Sequence, residues 1–209
     1  MTHTRASSIP RITAVDCHTN AFDGEVKVSL TKTAWMVFIY TSAIVGGYLT
    51  ISVQSVLIFV ILTAITLCFG HSLGMHRRLI HQSYKCPRWL EYIFVHLGVL
   101  VGLAGPIGMV RTHDMRDWAQ RQDVCHDFFA HRQAFLKDGF WQIFCDIKLK
   151  HPPNFTPERK ISDNSVYQLM EKTWILQQLP WAMLLFSLAG IGGLIWGFCV
   201  RVAVSVTGH

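Results

Sequence analysis

The chain has 209 residues, of which 51% are hydrophobic and only 15% are charged, a composition more apolar than that of most soluble domains. Its net charge of +6 would suit a nucleic-acid ligand, but the placement of the charge argues otherwise. Four basic residues follow one apolar run directly, with no acid among them: Arg77, Arg78, Lys85 and Arg88. Such a cluster is typical of a cytoplasmic loop beside anionic lipid headgroups. The charge pattern therefore excludes nucleic acid and predicts membrane lipids as a partner.

Residues 1–32 are mixed in character and polar, without the apolar core of a secretory signal. We predict that they form an exposed, partly disordered lead-in to a domain at residues 33–209. The six cysteines are scattered and include no C-x-x-C pair, which indicates reduced thiols rather than a disulfide framework.

A long run beginning at Ala34 contains no charged residue and no histidine until His71. As one helix it would be about 55 Å long, whereas the hydrocarbon core of a bilayer is about 30 Å thick. We therefore expect the chain to turn, either at Gly46-Gly47 or in the polar stretch at residues 52–55. The predicted membrane spans lie at about residues 34–50 and 54–70.

Residues 89–110 are apolar enough to suggest another span, but they contain Glu91, His96 and Pro106, and basic residues flank both ends. We predict a segment lying in or under the membrane interface, because this keeps all the histidines on one side. Residues 111–173 are polar, with nearly balanced acids and bases, and their pattern is mostly helical. They should form a cytoplasmic cap.

The last apolar run, residues 179–200, allows two interpretations. A single span would leave Arg201 and the C-terminus outside. A turn at residues 190–193 would instead make two spans, at residues 174–189 and 194–209, and would place Arg201 inside the membrane. A charge there is costly unless it faces the bundle or a polar cavity. The residue pattern alone leaves both interpretations open.

Histidines cluster where the second predicted span ends, at His71, His76 and His81. Five residues turn an α-helix by about 140°, so these rings share a face only if the helix ends or bends there. Neutral imidazole is a ligand for iron, zinc and copper. The spacing therefore suits metal ligands at a helix end, although hydrogen bonds to headgroups and backbone would also satisfy single interfacial histidines.

The pair His71-x4-His76, directly after a predicted membrane hairpin and followed by His113, resembles the first two histidine boxes of the membrane fatty-acid desaturases, particularly the acyl-CoA (delta-9 type) branch. His126 and His131, ahead of an aromatic stretch, are similar to the family's region after its second box. The resemblance implies two iron ions that activate oxygen and remove two hydrogens from a fatty acyl chain. It also implies an acyl substrate carried on CoA, a carrier protein or a lipid, and an external electron-donor protein.

The resemblance favours the two-span interpretation of the last apolar run. The predicted fold is an all-α integral membrane protein with two transmembrane hairpins and a cytoplasmic helical cap. It is multi-pass, with the N-terminus and the histidine layer in the cytoplasm.

The second box departs from the family's H-x2-H-H pattern. It reads H-D-M-R-D from His113, so Arg116 and Asp117 stand where two histidine ligands are expected. Asp117 can still ligate iron, but Arg116 has no lone pair to give. The family's third box follows its fourth membrane helix, whereas this chain ends at His209. We therefore expect an incomplete desaturase that lacks the last ligand box.

The predicted metal ligands are His71, His76 and His113, with Asp117, His81, His126 and His131 as further candidates. The predicted function is a fatty-acyl desaturase, in the form of a fragment. A membrane hydroxylase of the same histidine-box type, and an inactive membrane remnant or binding protein, remain as alternatives.

Overall fold

The computed structural model describes residues 11–208, which are mostly helical. The helices, in chain order, are α1 (Leu30–Thr41), π1 (Ser42–Gly46), α2 (Gly47–Leu49), α3 (Val53–Ile65), π2 (Thr66–Ile80), α4 (Arg88–Val99), α5 (Pro106–Gln120), α6 (Asp127–Ala130), α7 (Phe135–Phe144), α8 (Arg159–Ser162), α9 (Ser165–Thr173), α10 (Gln178–Leu194), π3 (Ile195–Val200) and α11 (Arg201–Thr207). The strands are β1 (Ile12–Thr13), β2 (Gly24–Val28), β3 (Cys145–Leu149) and β4 (Asn154–Phe155). In the π segments, backbone hydrogen bonds join residue i to residue i+5.

The first break in the helical chain falls at residues 50–52, at the second of the two predicted turn sites. Ser52 has an extended backbone, and its Oγ accepts a hydrogen bond from the backbone N–H of Ser55 at 3.1 Å. This is an N-cap, which satisfies one of the unpaired N–H groups at the start of α3. From there α3 continues directly into π2, so one helix runs over Val53–Ile80.

The other predicted turn site lies inside a helix. A Cβ added to Gly46 would lie 2.9 Å from the side chain of Ile195, so the glycine allows π1 to approach π3 closely. The pair of glycines is therefore a helix contact and not a turn.

Within residues 11–208, two helical stretches are long and apolar enough to cross a membrane, Val53–Ile80 and Gln178–Thr207. The most apolar windows of these stretches are only 17% and 28% buried inside the protein. A core helix of a soluble protein would be mostly buried, so these helices present apolar side chains to their surroundings. Leu57, Met183 and Leu188 are examples, with exposed fractions of 55%, 72% and 74%.

The second of these stretches is not one straight helix, because the chain reverses near Gly190. Ala189 and Gly190 have non-helical dihedral angles, and Gly190 has a φ of 62°. A Cβ added to Gly197 would lie 2.9 Å from Cδ1 of Leu185, although these residues would be about 18 Å apart along a continuous helix. The reversal falls where the two-span interpretation predicted a turn.

Arg201 lies inside this helix pair and is 3% exposed. Its guanidinium donates to the backbone carbonyl of Leu100 at 2.7 Å, to that of Gly197 at 2.8 Å and to Oε1 of Gln178 at 3.2 Å. The arginine thus faces protein acceptors, which is the condition under which a charge within an apolar helix pair is tolerated. These bonds tie the last helix to the end of α4.

The all-α prediction is confirmed in its coarse form, since the described residues are mostly helical, but they also form two small antiparallel sheets. β1 pairs with β4, and β2 pairs with β3 from Gly24↔Leu149 to Val28↔Cys145. Residues 11–28, which belong to the predicted lead-in, are tied to residues 145–155 by these strands. Each pairing joins segments more than a hundred residues apart, so local residue pattern does not reveal it. The first ten residues of the lead-in, and His209, lie outside the described part of the chain.

The histidine-bearing helix π2 is packed directly against α4. A Cβ on Gly70 would lie 2.3 Å from the backbone of Leu97, and one on Gly74 would lie 2.4 Å from the backbone of Phe94. Such close approach is open only to glycine. The backbone of α4 therefore sets the position of π2, and with it the position of the histidines that follow Gly74.

Candidate metal centre

His76 and His81 meet because π2 closes its hydrogen bonds over five residues. The backbone N–H of His81 donates to the carbonyl of His76 at 2.9 Å, so the two side chains are neighbours along one row of the helix. Their ring centroids are 4.4 Å apart, and their Nε2 atoms are 3.2 Å apart. The π-helical geometry therefore brings two histidines spaced five residues apart onto the same side of the helix, which α-helical geometry would not do.

The third histidine, His113, comes from α5. This helix begins at Pro106, the favoured residue type for the first helical position, and Glu171 accepts hydrogen bonds from the backbone N–H groups of Ile107 and Gly108 at 2.8 and 2.9 Å. Because α5 begins at Pro106, the predicted interfacial segment at residues 89–110 comprises two elements, α4 and the start of α5. A carboxylate from α9 thus fixes the start of the helix that carries His113.

The ring of His113 lies 5.3 Å from that of His76 and 5.1 Å from that of His81. One ligand atom from each of the three histidines falls within 4.8 Å of the other two. Two nitrogens on one ion, with metal–nitrogen bonds of about 2 Å, lie about 3 Å apart. The pair His76 and His81 already has this separation, and His113 approaches it from the facing helix.

Asp114, the next residue in the chain, contacts the ring of His113 through one of its two nitrogens. His113 Nδ1 donates to Oδ1 of Asp114 at 3.3 Å, which leaves Nε2 as the nitrogen with a free lone pair. Burial alone would raise the pKa of Asp114, but its hydrogen bonds with His113 and Arg11 and the charge of Arg11 lower it below its usual value. Asp114 is therefore an anion that orients a histidine, which is the usual carboxylate–histidine arrangement beside a metal.

The donor set suits one transition-metal ion. Three neutral imidazoles leave coordination positions open for other ligands, as catalytic metal sites require. The two unusual residues of the second box do not join the group: Arg116 donates to Oε1 of Gln142 at 2.9 Å, and Asp117 lies 3.4 Å from Nη2 of Arg121. Among the described residues, the converging group is His76, His81 and His113.

The other predicted ligands lie elsewhere. His71 is on π2, one five-residue step before His76, and is outside the converging group. His126 caps α6, since its Nδ1 accepts from the backbone N–H of Phe128 at 3.1 Å. His131 has a left-handed backbone and pairs through Nδ1 with Asp138 at 2.7 Å.

One signal for the converging pair was present in the sequence. His76-x4-His81 fits the first-box spacing as well as His71-x4-His76 does, and the structure brings the second pair together. The supporting residues carried no such signal. Arg11, which contacts Asp114 and the end of π2, and Glu158, which contacts Arg11 and Gln82, belong to no recognisable pattern.

No protein-family model matches the chain. Among curated proteins, an sn-1 stearoyl-lipid 9-desaturase of Anabaena variabilis is 32% identical over 134 residues, which are 64% of this chain and 48% of that protein. A protein of the same name from Synechocystis sp. is 30% identical over 190 residues, covering 88% of this chain and 58% of the relative. An acyl-CoA 5-desaturase of Anemone leveillei is 29% identical over 143 residues, covering 67% and 44%. The chain spans about half the length of these curated relatives.

All three of these relatives are named as desaturases. The chain belongs to the fatty-acid desaturase family, as its histidine boxes predicted.

Proposed function

We propose that the chain is an oxygen-dependent fatty-acyl desaturase in which His76, His81 and His113 hold iron. The observation that carries this proposal is the convergence of three imidazoles from two helices in a chain similar to named desaturases. Iron, when bound, supplies the oxidising chemistry. The three imidazoles bind it, and Asp114 keeps the lone pair of His113 directed toward it.

The substrate proposed is a fatty acyl chain on a membrane lipid or on CoA, the two kinds of carrier named for the relatives. The exposed apolar faces of α3 and α10 support a bilayer setting, with two transmembrane hairpins separated by the cap. The exposed side chains of Arg77 and Arg88 support a cytoplasmic position for the histidine layer, beside anionic headgroups.

Desaturation by the family's di-iron chemistry also needs a second ion and an external electron-donor protein. The converging group has three donors, which suits one ion. Asp117 is the predicted carboxylate candidate in the second box, and its side chain is 42% exposed. We therefore assign one iron to the three histidines, and the second iron takes donors from outside this group.

A second candidate function is that of a metal-holding membrane protein without catalysis. Arg116 favours it, because a half-buried guanidinium stands at a position where the family's pattern has a histidine, and it cannot ligate iron. The comparisons do not favour the hydroxylase alternative, because the matched relatives are named desaturases.

The experiment is to produce the full chain in a bacterial membrane, purify it in detergent, and measure iron per chain together with the fatty-acid profile of the host lipids. We expect bound iron and new unsaturated acyl chains, and the loss of both in the triple variant H76A/H81A/H113A. His151→Ala is the matched control, because His151 is an exposed histidine outside the group. Bound iron without new double bonds would support the non-catalytic candidate, and absence of iron in the unaltered chain would reject both.

A further inference from the structure

Arg11 occupies the space between the two elements that carry His81 and His113. Its side chain is only 11% exposed, although it lies just before the short strand β1. Nη1 donates to Oδ2 of Asp114 at 3.0 Å, and Nη2 donates to the backbone carbonyl of Ile80 at 3.0 Å. One guanidinium thus contacts the residue after His113 and the residue before His81.

Glu158 completes this contact on the other side. It accepts from Nε of Arg11 at 2.8 Å and from Nη2 at 3.1 Å, a two-point pairing that fixes the plane of the guanidinium. Its Oε1 also accepts from Nε2 of Gln82 at 2.8 Å. Ile80 and Gln82 are the two chain neighbours of His81, so the Arg11–Glu158 pair holds the backbone carbonyl of the residue before that histidine and the side chain of the residue after it.

The backbone of Gln82 shows why such restraint is needed. Its φ is 49°, in the left-handed region that residues with a side chain adopt at a cost. The chain leaves π2 at this residue, immediately after His81. The side chain of Gln82 is held on this turn from both ends of its amide: Nε2 donates to Oε1 of Glu158, and Oε1 accepts from Nζ of Lys160.

We propose that Arg11 and Glu158 form a positioning pair that sets the placement of His81 relative to His113 and so determines the metal affinity of the centre. This inference rests on the proposed metal-binding function. Arg11 reaches the His113 side through Asp114, which itself accepts from His113 Nδ1. Neither member of the pair is a metal ligand, so their effect is on geometry.

The test is a titration of the purified full chain with Co²⁺ alone, followed by the cobalt absorption spectrum. Residues that support metal ligands typically change affinity about 10–100-fold when altered. We expect weakening in this range for Arg11→Ala and Glu158→Gln, with a changed cobalt spectrum. Arg11→Lys should remain weakened, because an ammonium keeps the charge but cannot form the planar two-point pair.

Lys32→Ala is the matched control. Lys32 also ties the N-terminal part to the cap, through the carbonyl of Cys145 at 3.0 Å and an ion pair with Asp146 at 2.5 Å, but it contacts neither histidine-bearing element. It should keep the affinity and spectrum of the unaltered chain even if its thermal unfolding midpoint falls.

The outcomes separate two failures. If the unaltered chain binds no cobalt, the proposed metal function fails and this inference fails with it. If the unaltered chain binds cobalt, and Arg11→Lys and Glu158→Gln bind it with the same affinity and spectrum, only the positioning pair is rejected. These two conservative variants decide the question if Arg11→Ala does not fold.

Discussion

The Nε2 atoms of His76 and His81 lie 3.2 Å apart at the end of a helix whose hydrogen bonds span five residues. His71 lies one such step earlier on the same helix and outside the group of converging donors. The pairs His71/His76 and His76/His81 both have the spacing H-x4-H. Measuring metal binding in variants of His71 and of His81 therefore shows which pair is the first histidine box.

His81→Ala should weaken Co²⁺ binding by at least about 100-fold, because a direct ligand contributes no less than the groups that support it. His71→Ala should bind the ion within a few-fold of the unaltered chain. Titration of the two purified variants side by side checks this. Strong loss in His71→Ala with none in His81→Ala would assign the first box to His71 and His76 instead.

Asp114→Asn should weaken metal binding by about 10–100-fold, since an amide holds His113 Nδ1–H less strongly than a carboxylate does. Asp163→Asn, at an exposed carboxylate outside the group, serves as the control and should bind as the unaltered chain does. Equal affinity in both variants would mean that Asp114 does not orient His113.

His96 should make the stability of the fold depend on pH. Its Nδ1 donates to Oε1 of Gln177 at 2.8 Å, and its Nε2 accepts from the indole N–H of Trp181 at 3.0 Å. Burial lowers the pKa of His96, and the bond with Gln177 only partly opposes this. Protonation also removes the acceptor that Trp181 needs.

The sign follows from proton uptake. Because the folded pKa is lower than the unfolded value of about 6.5, the unfolded chain binds the proton first, and this contribution to stability is lost as the pH falls below about 6.5. The midpoints of thermal unfolding in detergent at pH 7.5 and 5.5 measure this loss of stability. We expect a smaller drop in midpoint for His96→Gln than for the unaltered chain; an equal drop would show that His96 is not responsible.

Gly74→Ala should cost about 1–3 kcal/mol of unfolding free energy, because its Cβ would lie 2.4 Å from the backbone of Phe94 and the helices must separate. Gly139→Ala is the matched control: it lies in α7 with nothing within 4 Å of an added Cβ, so it should be neutral or stabilising by up to about 1 kcal/mol. Chemical unfolding of both variants compares them. A neutral Gly74→Ala would contradict the close contact between π2 and α4.

The parts of the fold that the sequence predicted are those governed by local properties. The break at residues 50–52 follows from the length of the charge-free run. The residue pattern offered the reversal near Gly190 only as one of two interpretations, and the resemblance to the desaturases favoured it. The buried setting of Arg201 agrees with the cost of a charge in a bilayer.

The remaining features depend on long-range contacts. The pairing of β2 with β3 joins residues 24–28 to residues 145–149, and Arg11 finds its acceptors on Ile80, Asp114 and Glu158. Whether His71 or His81 joins His76 and His113 depends on the five-residue hydrogen bonding of π2. No local sequence pattern reveals that hydrogen bonding. In each case tertiary packing determines the structure, because the local secondary-structure preferences of the residues do not.

The most direct test of the central claim is X-ray absorption at the iron edge of the purified chain, alone and as H76A/H81A/H113A. We predict imidazole ligation of iron in the unaltered chain and its loss in the triple variant. Iron ligated by oxygen alone in the unaltered chain, or imidazole ligation that persists in the triple variant, would contradict a metal centre at these three histidines.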